Sequence, residues 1–229
     1  MKRFSLLIGL VAIVATAGAK TPPEDNSDDR VFCNQIDKAV RRIISIPDIE
    51  GYKTLKCDFH MHTVFADAQV SPTGRVREAW QDGLDVIAMS EHIAVHKSPG
   101  IKLKDYNIPI NHALKEAAKW GFLVVPAVEI TRTKPFGHMN ALFIKDPNVF
   151  EETRYKVDEN GKLLRDKDGN RIPNPTEMDD FCKAEAQGAF MLWNHPGWPD
   201  RKSTLYPLQK QLIKEGRIHA VEIFNSIEW

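Results

Sequence analysis

Residues 57–92 read CDFHMHTVFADAQVSPTGRVREAWQDGLDVIAMSEH. Their pattern falls into three pieces. Residues 54–59, which lead into the stretch, form a short apolar strand. Residues 74–82 have the spacing of an amphipathic helix, closed by Gly83 because glycine takes left-handed backbone angles without strain. Residues 84–89 (LDVIAM) are an apolar run with the length of a buried strand. Strand, helix and strand in so short a span is the repeating unit of a parallel sheet or barrel. Within the first strand, residues two apart point to the same side. Asp58, His60 and His62 are therefore expected to face together, near that strand's C-terminal end. Two imidazoles held side by side can bind one hydrolytic metal.

The same rhythm continues towards the C-terminus. Asn111 is expected to cap a helix that reaches Trp120 and stops at Gly121. A strand follows over 122–128 (FLVVPAV), and a short apolar run over 140–144. A helix over 176–187 precedes a strand at 189–193 (AFMLW). A further helix near 206–215 leads into the strand 220–224 (AVEIF). Residues 153–173 interrupt the pattern. Turn signals at Asn160-Gly161 and Asp168-Gly169 mark a surface hairpin. Its acidic residues lack calcium-loop spacing, since counting back from either glycine puts Lys156 or Leu164 in the first ligand position.

The polar residues gather at one end of these strands. The second strand runs into Glu91-His92, and the third into Glu129. His138 lies in the turn FGHMN that enters the next strand, and AFMLWN runs into His195. Five of the eight histidines thus lie at the strand ends where barrel enzymes place their active sites. Histidines without a shared task would scatter over both ends.

At this point the sequence resembles a known family. The 57–92 segment is similar to the opening of the polymerase-and-histidinol-phosphatase (PHP) superfamily, whose usual form is an H-x-H-T run, an Asp five residues later, then a strand ending in Asp-His. VVPAVEIT resembles the segment in which a Glu ends a strand. GHMNALF resembles the segment carrying the next His, and WNHPGWP the His-Pro motif. The branch most resembled is that of secreted bacterial PHP phosphodiesterases. The resemblance implies a distorted (β/α)7 TIM-like barrel holding two or three divalent metal ions (Zn, Mn or Fe). It also implies hydrolysis of a small phosphate ester, a diester in preference to a monoester, by a metal-bridging hydroxide.

Carried over by position, His60 and His62 hold a first metal. Glu129 bridges it to a second, held also by His138 and His195, and Asp67 and His92 hold a third. Glu129 and Asp67 are then also the candidate catalytic residues. Glu91 stands where the family usually has Asp. The family closes with Asp-x-His on its last strand. After His195 this sequence has Asp200 and His219 but no such motif, and the span from residue 55 falls short of the roughly 250 residues of a complete barrel. The chain is therefore expected to lack the last barrel units, as a fragment, a truncated reading frame or a degenerate protein. An amidohydrolase-type hydrolase also opens with H-x-H but usually bridges its metals with a carboxylated Lys. A non-catalytic metal-binding fragment is the other alternative.

Other residues receive plainer readings. Arg132, three residues past Glu129, is a candidate phosphate clamp because a guanidinium matches phosphate with two bonds. His96 and Lys97 are candidates for substrate contact. Asp58 is expected to accept a hydrogen bond from an imidazole or a backbone amide. Trp198 suits the pocket rim and Trp193 the core. His112 reads as a surface helix residue and His219 as structural. Glu222 and Asn225 lie near the site in the family pattern without being ligands.

Residues 1–19 have a signal-peptide layout: Lys2 and Arg3, an apolar run over 4–17, and small residues at Ala17-Gly18-Ala19. The run is short of the ~20 residues that span a bilayer. The expectation is a secreted or periplasmic protein without a stable membrane anchor. Residues 20–53 read as leader and linker, with a helix possible over 31–48, and 54–229 as the PHP domain. Lys+Arg and Asp+Glu both total 31, so no basic track for nucleic acid is expected. Cys33, Cys57 and Cys182 are too few and too irregularly spaced for a disulfide framework, and Cys57 is expected to be buried. The sequence leaves the oligomeric state open.

Overall fold

The structure is a computed structural model that describes residues 40–93, 103–132, 136–150, 155–172, 177–198 and 205–225. The expected signal peptide, His96 and Lys97 lie outside these residues. Six strands form one sheet in sequence order: β1 (Cys57–Met61), β2 (Val86–His92), β3 (Leu123–Thr131), β4 (His138–Leu142), β5 (Phe190–Trp193) and β6 (Ala220–Val221). Four helices accompany them: α1 (Pro72–Gln81), α2 (Asn107–Trp120), α3 (Glu177–Ala186) and α4 (Pro207–Lys214). Among the described residues no helix is long and apolar enough to cross a membrane.

Strands β1, β2 and β3 are parallel, as are β5 and β6, but β4 runs antiparallel to both its neighbours. The parallel sheet or barrel expected from the sequence is thus corrected at β4. The connection between Thr131 and His138 is too short for the dozen or more residues of a parallel crossover, so the chain turns straight back. This reversal brings the start of β4 level with the end of β3, where Thr131 pairs with His138 and Glu129 with Asn140.

The sheet curls. Strands β1 and β4 would lie about 14 Å apart in a flat sheet, yet Asn140 Nδ2 on β4 donates to the Phe59 carbonyl on β1 at 2.7 Å. The two outermost strands also meet, with Glu222 Oε1, just past β6, 3.0 Å from Nδ1 of His60 in β1. The architecture is a mixed α/β half-barrel.

Alternation along the strands separates two faces. Ile87 and Met89 of β2 pack with Val76 and Ala79 of α1 and with Ile110, Ala113 and Ala117 of α2. Val128, Ile130, Met139, Ala141, Met191 and Trp193 face α3 and α4 in a second cluster with Phe181 and Leu212. The concave side carries a smaller apolar plug of Val86, Ala88, Val125, Ala127 and Leu142, with Phe59 against it. Beyond this plug the same face turns polar, through Ser90, His92, Glu129, Thr131, Asn140 and His138.

Helix α1 begins two residues earlier than its spacing suggested. Ser71 accepts from the Gly74 amide at 2.9 Å and Pro72 opens the first turn, a residue that lacks only an amide the helix start leaves unpaired anyway. Gly83 closes α1 with φ +88°, and a Cβ there would meet the Arg42 carbonyl at 2.7 Å. The segment from residue 40 crosses at this point, held by Arg41 to Asp85 at 2.6 Å. It forms no helix within the described residues, and Val40 and Ile43 are exposed. Helix α2 starts at Asn107 rather than at Asn111, because Asp105 already accepts from the Asn107 amide at 2.9 Å. Residues 155–172 form the expected excursion, with turns in which Asp158 and Asp166 accept amides from the residues that follow them. Cys57 is exposed rather than buried, since β1 is an outermost strand.

Candidate metal centre

Strand β1 carries a register slip between Asp58 and Met61. Asp58 pairs with Ile87 and Met61 with Met89, both on the helix-facing side. His60 and His62 flank Met61 and therefore point to the concave side, whereas Asp58 does not share their face. Instead Asp58 Oδ1 accepts the His60 amide at 3.0 Å, the backbone alternative of the sequence reading, and braces the slipped turn.

Glu129 lies on β3, within the strand rather than beyond it, and its side chain has no exposure. Four imidazoles converge on its carboxylate. His60 Nε2 is 2.9 Å and His62 Nε2 3.1 Å from Oε2. His138 Nδ1 is 2.6 Å and His92 Nδ1 3.3 Å from Oε1. His62 stacks on His92 with centroids 4.0 Å apart. On the far side of His92, Nε2 is 3.4 Å from Asp67.

Protonation follows from this crowding. Burial disfavours charge on His60, but its bonds to Glu129 and Glu222 win and raise its pKa to about 10. Burial opposes charge on His92 as well, yet the charges of Glu129 and Asp67 lift it to about 9. Burial keeps His62 below its ordinary value. Burial and the neighbouring His138 lower His195 to about 4. Glu129 is held well below the carboxylate range: burial pushes it up, and His92, His138, His60 and His62 together pull it down further.

A metal fits these residues. Three groups of donors each lie within 4.8 Å of one another: His60, His62 and Glu129; His62, Asp67 and His92; and His92, Glu129 and His138. His62 Nδ1 and both ring nitrogens of His138 are buried without a hydrogen bond, although His138 Nδ1 lies 2.6 Å from Glu129. A buried nitrogen that faces a carboxylate at this distance is suited to share a cation with it. Imidazole and carboxylate donors suit Zn, Mn and Fe.

Six of the seven expected ligands therefore meet: His60, His62, Asp67, His92, Glu129 and His138. The grouping differs from the expected one in two respects. His92 joins Glu129 and His138, and His62 is shared with Asp67. His195 is in none of the three groups, although its ring lies 4.9 Å from that of His138 and 5.4 Å from that of His60. Arg132 is not at the site surface: its side chain is 1% exposed and ion-paired with buried Asp180, with a further bond to the Thr131 carbonyl at 3.0 Å. The expected phosphate clamp is corrected to a buried tie between β3 and α3. Trp198 is 39% exposed beside His138 and His195, at the rim, and Trp193 is core. His219 accepts the Met191 amide at 2.9 Å, a structural role.

Sequence reading missed several polar supports. Thr131 Oγ1 lies 2.7 Å from His92 Nδ1, and its place two residues past Glu129 on the same strand face could have revealed it. Asn194 donates to Asn140 at 2.8 Å. Thr63 is bonded to buried Glu91 through both its hydroxyl and its amide. Burial raises Glu91 to about 7, against those bonds.

No family model matches the chain, and no curated protein matches it. Among solved structures, it is similar to a two-domain protein from Bacteroides vulgatus containing a predicted PHP-like metal-dependent phosphoesterase. Identity is 37% and the TM-score 0.65, over 80% of this chain and 48% of that one. The chain belongs to the PHP superfamily. This PHP chain spans about half the length of that relative. A protein from Bifidobacterium adolescentis, proposed to be a metal-dependent phosphoesterase, shares the fold at 15% identity and TM-score 0.52, over 75% of this chain and 78% of that one.

Proposed function

We propose that this site hydrolyses phosphate esters with divalent metal ions, and that diesters are preferred to monoesters. The observation that carries the reading is Glu129, a fully buried carboxylate that belongs to two donor groups and faces four imidazoles. Metal held there would polarise a phosphoryl oxygen and lower the pKa of a water to roughly 7. The protein groups divide the remaining work. Glu129 offsets cation charge from the buried side. Asp67, with its side chain 23% exposed, is the open carboxylate and would accept the proton that a water gives up as it becomes the nucleophile. Trp198 offers an apolar wall to the ester group. The diester preference rests on the sequence resemblance to the secreted phosphodiesterase branch, and the leader reading of residues 1–19 goes with it.

The test is to load purified chain with Zn or Mn and measure release of nitrophenolate from bis(p-nitrophenyl) phosphate and from p-nitrophenyl phosphate. Turnover that a chelator abolishes, with the diester faster, is expected. Metal-loaded protein that cleaves neither ester would overturn the reading, and a faster monoester would overturn the preference.

A further inference from the structure

Glu222 directly follows β6, and its amide continues the ladder by donating to the Trp193 carbonyl at 2.8 Å. Ala220 pairs with Leu192 on β5, so alternation turns the Glu222 side chain to the same concave face. Its carboxylate lies 3.0 and 3.2 Å from His60 Nδ1. Oε2 also accepts the His195 amide at 2.8 Å, and Oε1 accepts from Asn225 at 3.0 Å. Glu222 is in none of the donor groups among the described residues. It contacts the ring nitrogen of His60 opposite the one that faces Glu129.

This arrangement has two consequences. An imidazole that donates Nδ1–H to a carboxylate presents its Nε2 lone pair to a metal, in a fixed tautomer and ring orientation. His195, for its part, has φ 25°, in the left-handed region that costs a non-glycine residue strain. Bonding its amide to Glu222 fixes the turn that brings its ring beside His60 and His138. One carboxylate thus aligns a histidine from β1 with one from beyond β5, across the curl of the sheet.

We propose that Glu222 is the positioning residue of the metal centre, orienting His60 and His195 without ligating. The inference rests on the metal-dependent reading above. Zinc affinity of the whole chain is measured by competition with a chromophoric chelator, for the parent and for Glu222→Gln. Long-range proton–nitrogen spectra of the zinc-loaded proteins follow the His60 Nδ1–H. We expect a loss of affinity of about 10- to 100-fold and an upfield move of the Nδ1–H resonance as its charged acceptor is removed. Glu222→Asp, which keeps the charge one methylene further back, should fall between the two. If the Gln variant proves insoluble, the Asp variant decides, and parent-like affinity and resonance in it overturn the proposal. Parent-like zinc affinity in a folded Gln variant overturns it equally. A parent that binds no zinc overturns the metal reading itself, which separates the two failures.

Discussion

Metal uptake by this site should expel protons, and the structure sets how many. In the metal-free chain His60 is raised to about 10 and His92 to about 9, each holding a proton against Glu129. A cation needs the same nitrogen lone pairs, so binding and protonation compete. At pH 8 a group with pKa 9 is about nine-tenths protonated and one with pKa 10 almost fully so; filling the site then releases about two protons. His62 and His195 are held neutral by burial and contribute none. Two protons correspond to about 100-fold in apparent affinity per pH unit, or about 2.7 kcal/mol. The sign for the metal-free fold is opposite. Both pKa values are raised above the ordinary 6.5, so their stabilisation is complete below about pH 6.5 and is lost as pH rises through 9 and 10. Titration calorimetry of zinc in buffers of different ionisation enthalpy counts the protons directly. Heat that does not depend on the buffer at pH 8 would show that no proton is displaced and would refute this picture of the site.

Two further outcomes can be checked by substitution. Glu129→Gln should lower bound metal more than Asp67→Asn, because Glu129 belongs to two donor groups and Asp67 to one; elemental analysis after dialysis measures this, and equal metal content in the two variants contradicts it. Glu116→Gln should destabilise the α1–α2 packing by ~2 kcal/mol at pH 7 in urea melts. Burial raises the Glu116 pKa, but its bonds to Arg77, Lys119 and Trp120 bring it to about 2. The full shift from 4.5 is worth about 3 kcal/mol, discounted here because Lys119 is exposed. A lowered pKa gives stability that is present above pH 4.5 and lost as pH falls towards 2, so parent and variant should converge in acid. A difference at pH 7 below about 0.5 kcal/mol would remove the network's claim to matter.

The candidate ligands were legible in the sequence because they sit where apolar runs end, and such runs can be read locally. His60, His62, His92 and Glu129 each lie at or near the C-terminal end of a strand that the pattern reveals. What could not be read depends on pairing between distant segments. The slip in β1 is defined only against β2, so Asp58 was placed on the histidines' face when it lies off it. Arg132 looked free beyond its strand until Asp180, 48 residues on, came to lie against it. Glu222 is 162 residues from His60, and only the curl of the sheet makes them neighbours. The reversal of β4 was readable in principle from the short connection before His138. The repeating strand–helix rhythm outweighed it.

Alternation along β3 also sets how this protein tolerates different kinds of genetic change. A substitution at Glu129 or His138 alters one donor and leaves the others in place. A single inserted codon between Ala127 and Glu129 would instead change the parity of everything after it. Glu129 would turn towards the helices, Ile130 would enter the polar hollow, and the pairing of Thr131 with His138 would slip. Drift in length should therefore be confined to the connections between strands, while the strands themselves can vary in residue type but not in residue number.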